Sequence, residues 1–516
     1  MKKSVIKYYF LLAVLVVTGC KKSLLDLNPQ DRLSLNSYWG SPADADFALN
    51  GCYNTLYASG NSYSISMLES QAWDCFTDNA YSQNNSGGCL TITAGGLTPN
   101  TGAFQSSYYN NSYSAIGRIN NFLANVGRVA PADQLGNYRG QALFLRAFYY
   151  FWLTQLYGGV PLTTDDPFTV KYTQKKAAAT PAAILTQINS DLDSAISYLP
   201  DNPYTDGHIV KGTAQAYKVR VLMYQQKYQD ANAMAQQIIS GKKFSLNPSY
   251  EENFRKPGQN SSKEIMFSVK FQQPNIVHQD GVSITLSMAG WGNFSGTQNM
   301  IDFYQCTDGK DTATSAVYVK GQPYANRDPR MRMTFFFPGD GPANGWPFVT
   351  AVAPVGTPGL GGWLKGFYLG KKGIDPSIKD PSYSSLDDQD YVQMRYADVL
   401  LLNAEALNEL GRPADAAPFV NQIRERVNMP DLPVGLSQSQ MRDAIRYERR
   451  VEFTLEGIRY FDLRRWGIAK QVLDGFVPNP LAPTIKTKYP DNYALWPIPQ
   501  TEIDFNKPEL NQNPGY

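Results

Sequence analysis

The segment from Arg395 to Gly467 constrains the fold more than any other part of the chain. It opens as RYADVLLLNAEALNELG, where Ala397, Leu400, Leu401, Ala404 and Leu407 recur at helical spacing and form one apolar face. Gly411 follows where a left-handed residue ends a helix at least cost. Pro413 opens a second helix at a position whose N–H would have no intrahelical partner. Phe419, Val420 and Ile423 give that helix its apolar stripe. The pair spans roughly 34 residues, the size of a tetratricopeptide-like helical hairpin. Ser437 and Gln440, in capping-box spacing, announce a further helix, MRDAIRYERRVEFTLEG. None of these helices carries a nucleophile–base pair or metal-ligand spacing, so they read as scaffold.

Similar hairpins are predicted in the first half. Ser41-Pro42 starts a helix running through Ala48, Leu49 and Tyr53 to Leu56. Helical period recurs over residues 113–126, in RGQALFLRAFYYFWLTQLYGG, after Thr180-Pro181, from Thr213, and again at Ala231, Ala235 and Ile238. The aromatic stripe from Phe148 to Trp152 reads as core. Two stretches lack this period. One, residues 60–102, holds Trp73, Phe76 and Tyr81 among Asp74, Asp78, Asn79, Asn84 and Asn85. Long loops in compact domains are usually functional or disordered, and aromatics argue against disorder. Flat rings stack on sugar faces, while Asp and Asn exchange hydrogen bonds with hydroxyls. Trp73, Asp74, Asp78, Asn79 and Tyr81 are therefore candidate ligand-binding residues; the competing reading makes Trp73 a plug of the core.

The other stretch, residues 244–394, shifts to Gly, Pro, Asn, Thr and aromatics. Ile265, Phe267 and Val269 alternate with Met266, Ser268 and Lys270 as a short strand. Trp291, Trp346 and Trp363 each sit among glycines, as sugar platforms or as anchors of irregular loops. Trp291, with Asn293, Thr297, Gln298 and Asn299 close in sequence, is the best placed, so Trp291 and Asn293 join the candidates.

The amino terminus carries Lys2, Lys3 and Lys7 before a ten-residue apolar run from Tyr8 to Val17. That is short of the roughly 20 residues a spanning helix needs, so it reads as an export signal. Val17-Thr18-Gly19-Cys20 has the form of a lipobox, with Cys20 the lipidated residue. The expected organisation is a signal over residues 1–19 and one domain over 20–516, divided into a helical part (20–243), a loop-rich insert (244–394) and a helical part with tail (395–516). Hydrophobic residues make up 43% and net charge is only +2, so the chain can bury a core and has no electrostatic reason to bind nucleic acid. Outside the cytoplasm Cys52, Cys75, Cys89 and Cys306 could pair in three ways, form one bridge with two spectators, or stay reduced. They match no zinc spacing, and with only His208 and His278 beside them no metal or cofactor is expected.

An enzyme is disfavoured. A glycosidase needs two carboxyls facing a cleft; Glu405 and Glu409, and Glu448, Glu452 and Glu456, share helix faces but are interleaved with Arg442, Arg446, Arg449, Arg450 and Arg459, as expected of structural ion pairs. A Ser/His hydrolase would have to use His208 or His278, neither in a motif. A ligand-binding protein uses the aromatic loops that a pure protein scaffold would leave idle.

Four blocks in order, RYADVLLLNAEALNELG, IRERVNMP, ERRVEFTLEGIRYFDLRRWG and LWPIPQTEIDFNKPELNQNPGY, resemble the signature blocks of the SusD/RagB family of surface-exposed nutrient-binding lipoproteins. The resemblance covers nearly the whole chain and is weakest in the candidate loops. It implies a mostly α fold of tetratricopeptide-like hairpins forming a scaffold, with loop-rich inserts and a few short strands. It also implies anchoring at the outer membrane facing outward, an oligosaccharide ligand, no catalysis, and a TonB-dependent (SusC-like) transporter over which the protein sits as a lid. A peptide ligand on the same architecture is the alternative.

Overall fold

The computed structural model of the chain describes residues 38–57, 70–82, 85–170, 174–278, 295–337, 340, 367–377 and 386–516. The export signal with Cys20, and Trp291, Asn293, Trp346 and Trp363, lie outside the described residues.

Helices α1 (Pro42–Tyr53), α2 (Ala103–Asn125), α3 (Leu135–Tyr157), α4 (Pro181–Tyr198), α5 (Lys211–Tyr224) and α6 (Tyr228–Gly241) precede the insert. Helices α7 (Tyr396–Glu409), α8 (Pro413–Arg426) and α9 (Gln438–Glu452) follow it. From α2 to α6 each packs on the next, α7 packs on both α8 and α9, and α6 also meets α7. That last contact joins the two halves into one helical array. The terminators act as the residue types require. Thr180 accepts the Ala183 N–H at 3.2 Å to start α4, and Ser437 with Gln440 forms both capping-box bonds. Gly411 stands at φ +76°, the left-handed conformation that ends α7.

Helix α2 starts ten residues earlier than its period suggests. Its first turns are rich in Ser and Asn, weak helix formers, but Phe104, Tyr108 and Tyr109 are buried there. Tertiary burial overrides local propensity.

Strand β2 (Ile265–Val269) pairs antiparallel with β5 (Tyr391–Arg395), closing the insert at its base. The alternating pattern suggests one exposed face, yet all five residues of β2 are buried. Phe267 packs between Phe144 and Phe148 of α3, and Tyr204 covers Ser268, accepting its N–H at 3.0 Å. The carboxy-terminal tail is inserted among the helices: the Trp496 N–H donates to Leu156 O (2.7 Å), and Asn513 reaches Tyr157 O (2.9 Å).

The carboxylates weighed as catalytic are ion-paired. Glu448 meets Arg330 (2.5 Å) and Arg424 (3.1 Å); Glu452 meets Arg330 (2.9 Å), Arg395 (2.5 Å) and Arg426; Glu456 meets Arg395 (2.7 Å) and Lys372 (2.5 Å). Glu405 pairs with Arg465, and Glu409 with Arg442. Most of these cations come from other elements, not from the arginines interleaved with the carboxylates in sequence. Arg330 and Arg395 are fully buried, which their several acidic partners make tolerable. Cys52, Cys75, Cys89 and Cys306 are buried thiols, and burial pushes Cys52 up to about 12. Among the described residues no helix is long and apolar enough to cross a membrane.

Candidate functional site

Three short strands collect the candidate segments. β1 (Ala80–Tyr81) pairs antiparallel with β3 (Ser295–Thr297), and β3 with β4 (Phe367–Tyr368). Tyr81 lies opposite Ser295, so the chain leaves β1 beside the point where it enters β3. Two aromatic-rich stretches far apart in sequence are thus tied to one small sheet. Gly296 makes the sheet possible: a Cβ there would fall 2.3 Å from the Phe335 ring, which packs against the strand.

The predicted residues 73–81 are drawn together, but into the interior. Trp73 is only 5% exposed. Its ring is surrounded by Phe104 (4.8 Å), Phe461 (4.9 Å), Trp496 (5.6 Å), Phe76, Tyr460 and Tyr108. A ring so enclosed has no face for a sugar; it packs the core. Asp74, fully buried, accepts the Gly457 N–H (2.9 Å) and an Asn79 amide hydrogen (2.7 Å). Burial pushes its carboxyl up to about 7. Asp78 is also buried, which alone would raise its pKa, but Arg450 (3.0 Å) and Arg459 (3.0 Å) overcome that and hold it below the usual range. Asn79 accepts from Arg450 Nε at 2.9 Å. Tyr81 is largely covered on β1. The expectation that 73–81 forms an open binding loop is corrected: α9 supplies Arg450, and the segment after it supplies Arg459, so this polar loop is locked to the scaffold.

The same lock reaches β3. Thr297 donates to Asp78 O (2.7 Å), its N–H bonds Asn79 O (3.0 Å), and its hydroxyl accepts the Met300 N–H to cap the helix Gln298–Phe303. Asn299 is exposed, yet its amide oxygen accepts from Arg450 (2.7 Å). Thr297 and Asn299 thus share the same lock, while Trp291 and Asn293 lie outside the described residues.

Beside β4 stands an aromatic group that sequence reasoning passes over. Tyr368 donates to Gln298 Oε1 (2.8 Å) and its phenol lies 3.2 Å from that of Tyr324. Tyr324 packs on Phe337 at 4.7 Å. Tyr324 and Gln298 remain partly accessible, placing a phenol and an amide at the rim of the sheet. Nothing in the spacing of GLGGWLKGFYLG sets Tyr368 apart from its neighbours; only pairing with β3 does.

A family model described as the SusD family matches residues 248–516, more than half of the chain. The chain belongs to the SusD family. A second model, described as starch-binding associating with outer membrane, matches residues 25–223. This SusD-family chain is 25% identical to the SusD-like protein P38 of Formosa agariphila, over 99% of its own length and 98% of that protein's. A SusD-like carbohydrate-binding protein of Bacteroides fragilis shares its fold at TM-score 0.79 and 23% identity, over 91% of this chain and all but 1% of that one. A laminarin-binding SusD-like protein does so at TM-score 0.71 and 23% identity, over 93% of this chain and 100% of that one. The helix-rich fold is thus that of the SusD family.

Proposed function

We propose that the protein captures oligosaccharides at the accessible rim of the β1–β3–β4 sheet, with Trp291 and Asn293 among its ligand-binding residues. Anchored through Cys20 at the outer membrane and facing outward, it delivers them to a TonB-dependent transporter, on which it acts as a lid. The observation that supports this reading is structural: β3, which follows Trp291 closely in sequence, lies in a sheet whose rim offers Tyr324 and Gln298. The laminarin-binding relative and the starch-binding description of the family model support a carbohydrate ligand. In this reading no bond is made or broken; the glutamates weighed as acid and base are held in ion pairs.

The test is binding of the chain lacking residues 1–20 to a panel of polysaccharides, oligosaccharides and peptides. A glycan should bind, and Trp291→Ala should weaken it by about two- to tenfold, the worth of one stacking ring. Binding of peptides alone, or glycan binding indifferent to Trp291, overturns the assignment. Co-purification with a TonB-dependent barrel from the outer membrane tests the partner.

A further inference from the structure

A second polar cavity of about 520 Å³ opens between α1, α3 and the connection from α4 to α5. It belongs to no part of the sheet described above. Its walls carry Asp46, Asn137, Tyr138, Gln141, Asn202 and His208, and no lysine or arginine lines it.

The floor is pre-built. Tyr53 accepts the Ile209 N–H (2.8 Å) and donates to Gln141 Oε1 (2.6 Å), and Gln141 Nε2 donates to Asn137 Oδ1 (3.1 Å). Asn137 is thereby oriented by its oxygen, while its NH₂ group makes no hydrogen bond among the described residues. Asn202 stands between Pro200 and Pro203, whose rings restrict the backbone, and its exposed amide also has no partner among the described residues. Asp206 holds His208 through Nδ1 at 3.0 Å and through its backbone N–H at 3.0 Å. Asp46 accepts the Tyr138 phenol at 2.5 Å. The cavity thus presents an oriented amide donor at Asn137, a free one at Asn202, a phenol ring and an imidazole, with carboxylates already engaged. Without a cation it cannot favour a phosphate, sulfate or carboxylate. Its size falls within the usual range for small-molecule sites.

We infer that this cavity is a second binding site for a neutral, hydroxyl-rich ligand, one to three sugar units long, separate from the sheet rim. The ligand class rests on the glycan-capture reading; the place does not.

Separate readouts distinguish the two sites in one experiment. His208 lines this cavity and reports on it, whereas Trp291→Ala tests the stretch proposed for capture at the sheet. The imidazole NMR signals of the full-length protein are followed while maltotriose, laminaritriose, cellotriose, xylotriose and mannotriose are added in turn to about 10 mM. At least one should shift His208 saturably, and Asn137→Ala with Asn202→Ala should weaken that response about tenfold, the loss of two modest hydrogen bonds, with thermal melting unchanged. No His208 shift with any trisaccharide, or a shift indifferent to the double variant, overturns the inference. Glycan binding that Trp291→Ala weakens, with no His208 shift, leaves capture at the sheet standing and removes this cavity. A His208 shift that the double variant weakens, with all glycan binding indifferent to Trp291→Ala, leaves the cavity and removes the sheet as the site.

Discussion

Residues 73–81 and 202–208 are built from the same materials. WDCFTDNAY and NPYTDGH both mix Asp, Asn, Thr and Tyr in a short irregular stretch. In the first, every polar side chain named as a candidate is buried, matched by Arg450, Arg459 or the Gly457 N–H. In the second, Asn202, Thr205 and Asp206 stay exposed at the edge of a cavity. The difference lies outside both segments. The first runs beneath cations presented by a helix about 370 residues later, whereas among the described residues no lysine or arginine is bonded to Asn202, Thr205 or Asp206 of the second. Composition of a loop states which hydrogen bonds it can make, and the rest of the chain decides whether they remain available.

This contrast can be broken, most forcefully at Arg450. Arg450→Met leaves Asp78 with Arg459 alone and removes the donor to the Asn79 side-chain oxygen, so urea unfolding should show a loss of about 5 kcal/mol; a loss under about 1 kcal/mol would mean that the loop is not locked by α9. Trp73→Ala should cost about 4 kcal/mol in the same assay, as expected of a large ring removed from a core. Were Trp73 a surface platform instead, stability would hardly change and only glycan affinity would fall.

Asp74 sharpens the comparison through pH. Its carboxyl titrates near 7 when folded, against an ordinary 3.8, because it is buried. The native state therefore keeps a proton that the unfolded state releases between about pH 4 and 7. Its stabilising contribution is fully present below about pH 4 and is lost as pH rises through 7, with a slope of at most about 1.4 kcal/mol per pH unit. Asp74→Asn should flatten that portion of the stability–pH curve; an identical slope in the variant would refute the assignment. The smallest effect belongs to the other segment: Asn202→Ala should leave unfolding stability within about 0.5 kcal/mol, and a larger loss would show that its amide is not free.

Much of the scaffold was legible beforehand. Ser41-Pro42, Thr180-Pro181, Ser437 with Gln440, and Gly411 mark helix ends because capping and left-handed turns are local chemistry. The family blocks at Arg395 and beyond were equally plain. The extension of α2 through Ser- and Asn-rich turns was not, because burial of Phe104 and Tyr108 stabilises it. Likewise Tyr324, Gln298 and Tyr368 could not be grouped, since their proximity depends on the pairing of β3 with β4.

By itself the sequence determined the helices, their order and the ionic nature of the acidic faces, all set by patterns within a few residues. Only the tertiary structure decided which cations meet Glu448, Glu452 and Glu456, that Trp73 and Asp78 belong to the core, and that Asn137 and Asn202 do not. Whether a polar or aromatic side chain is spent inside or offered outside is fixed by partners hundreds of residues away, and no local pattern records them.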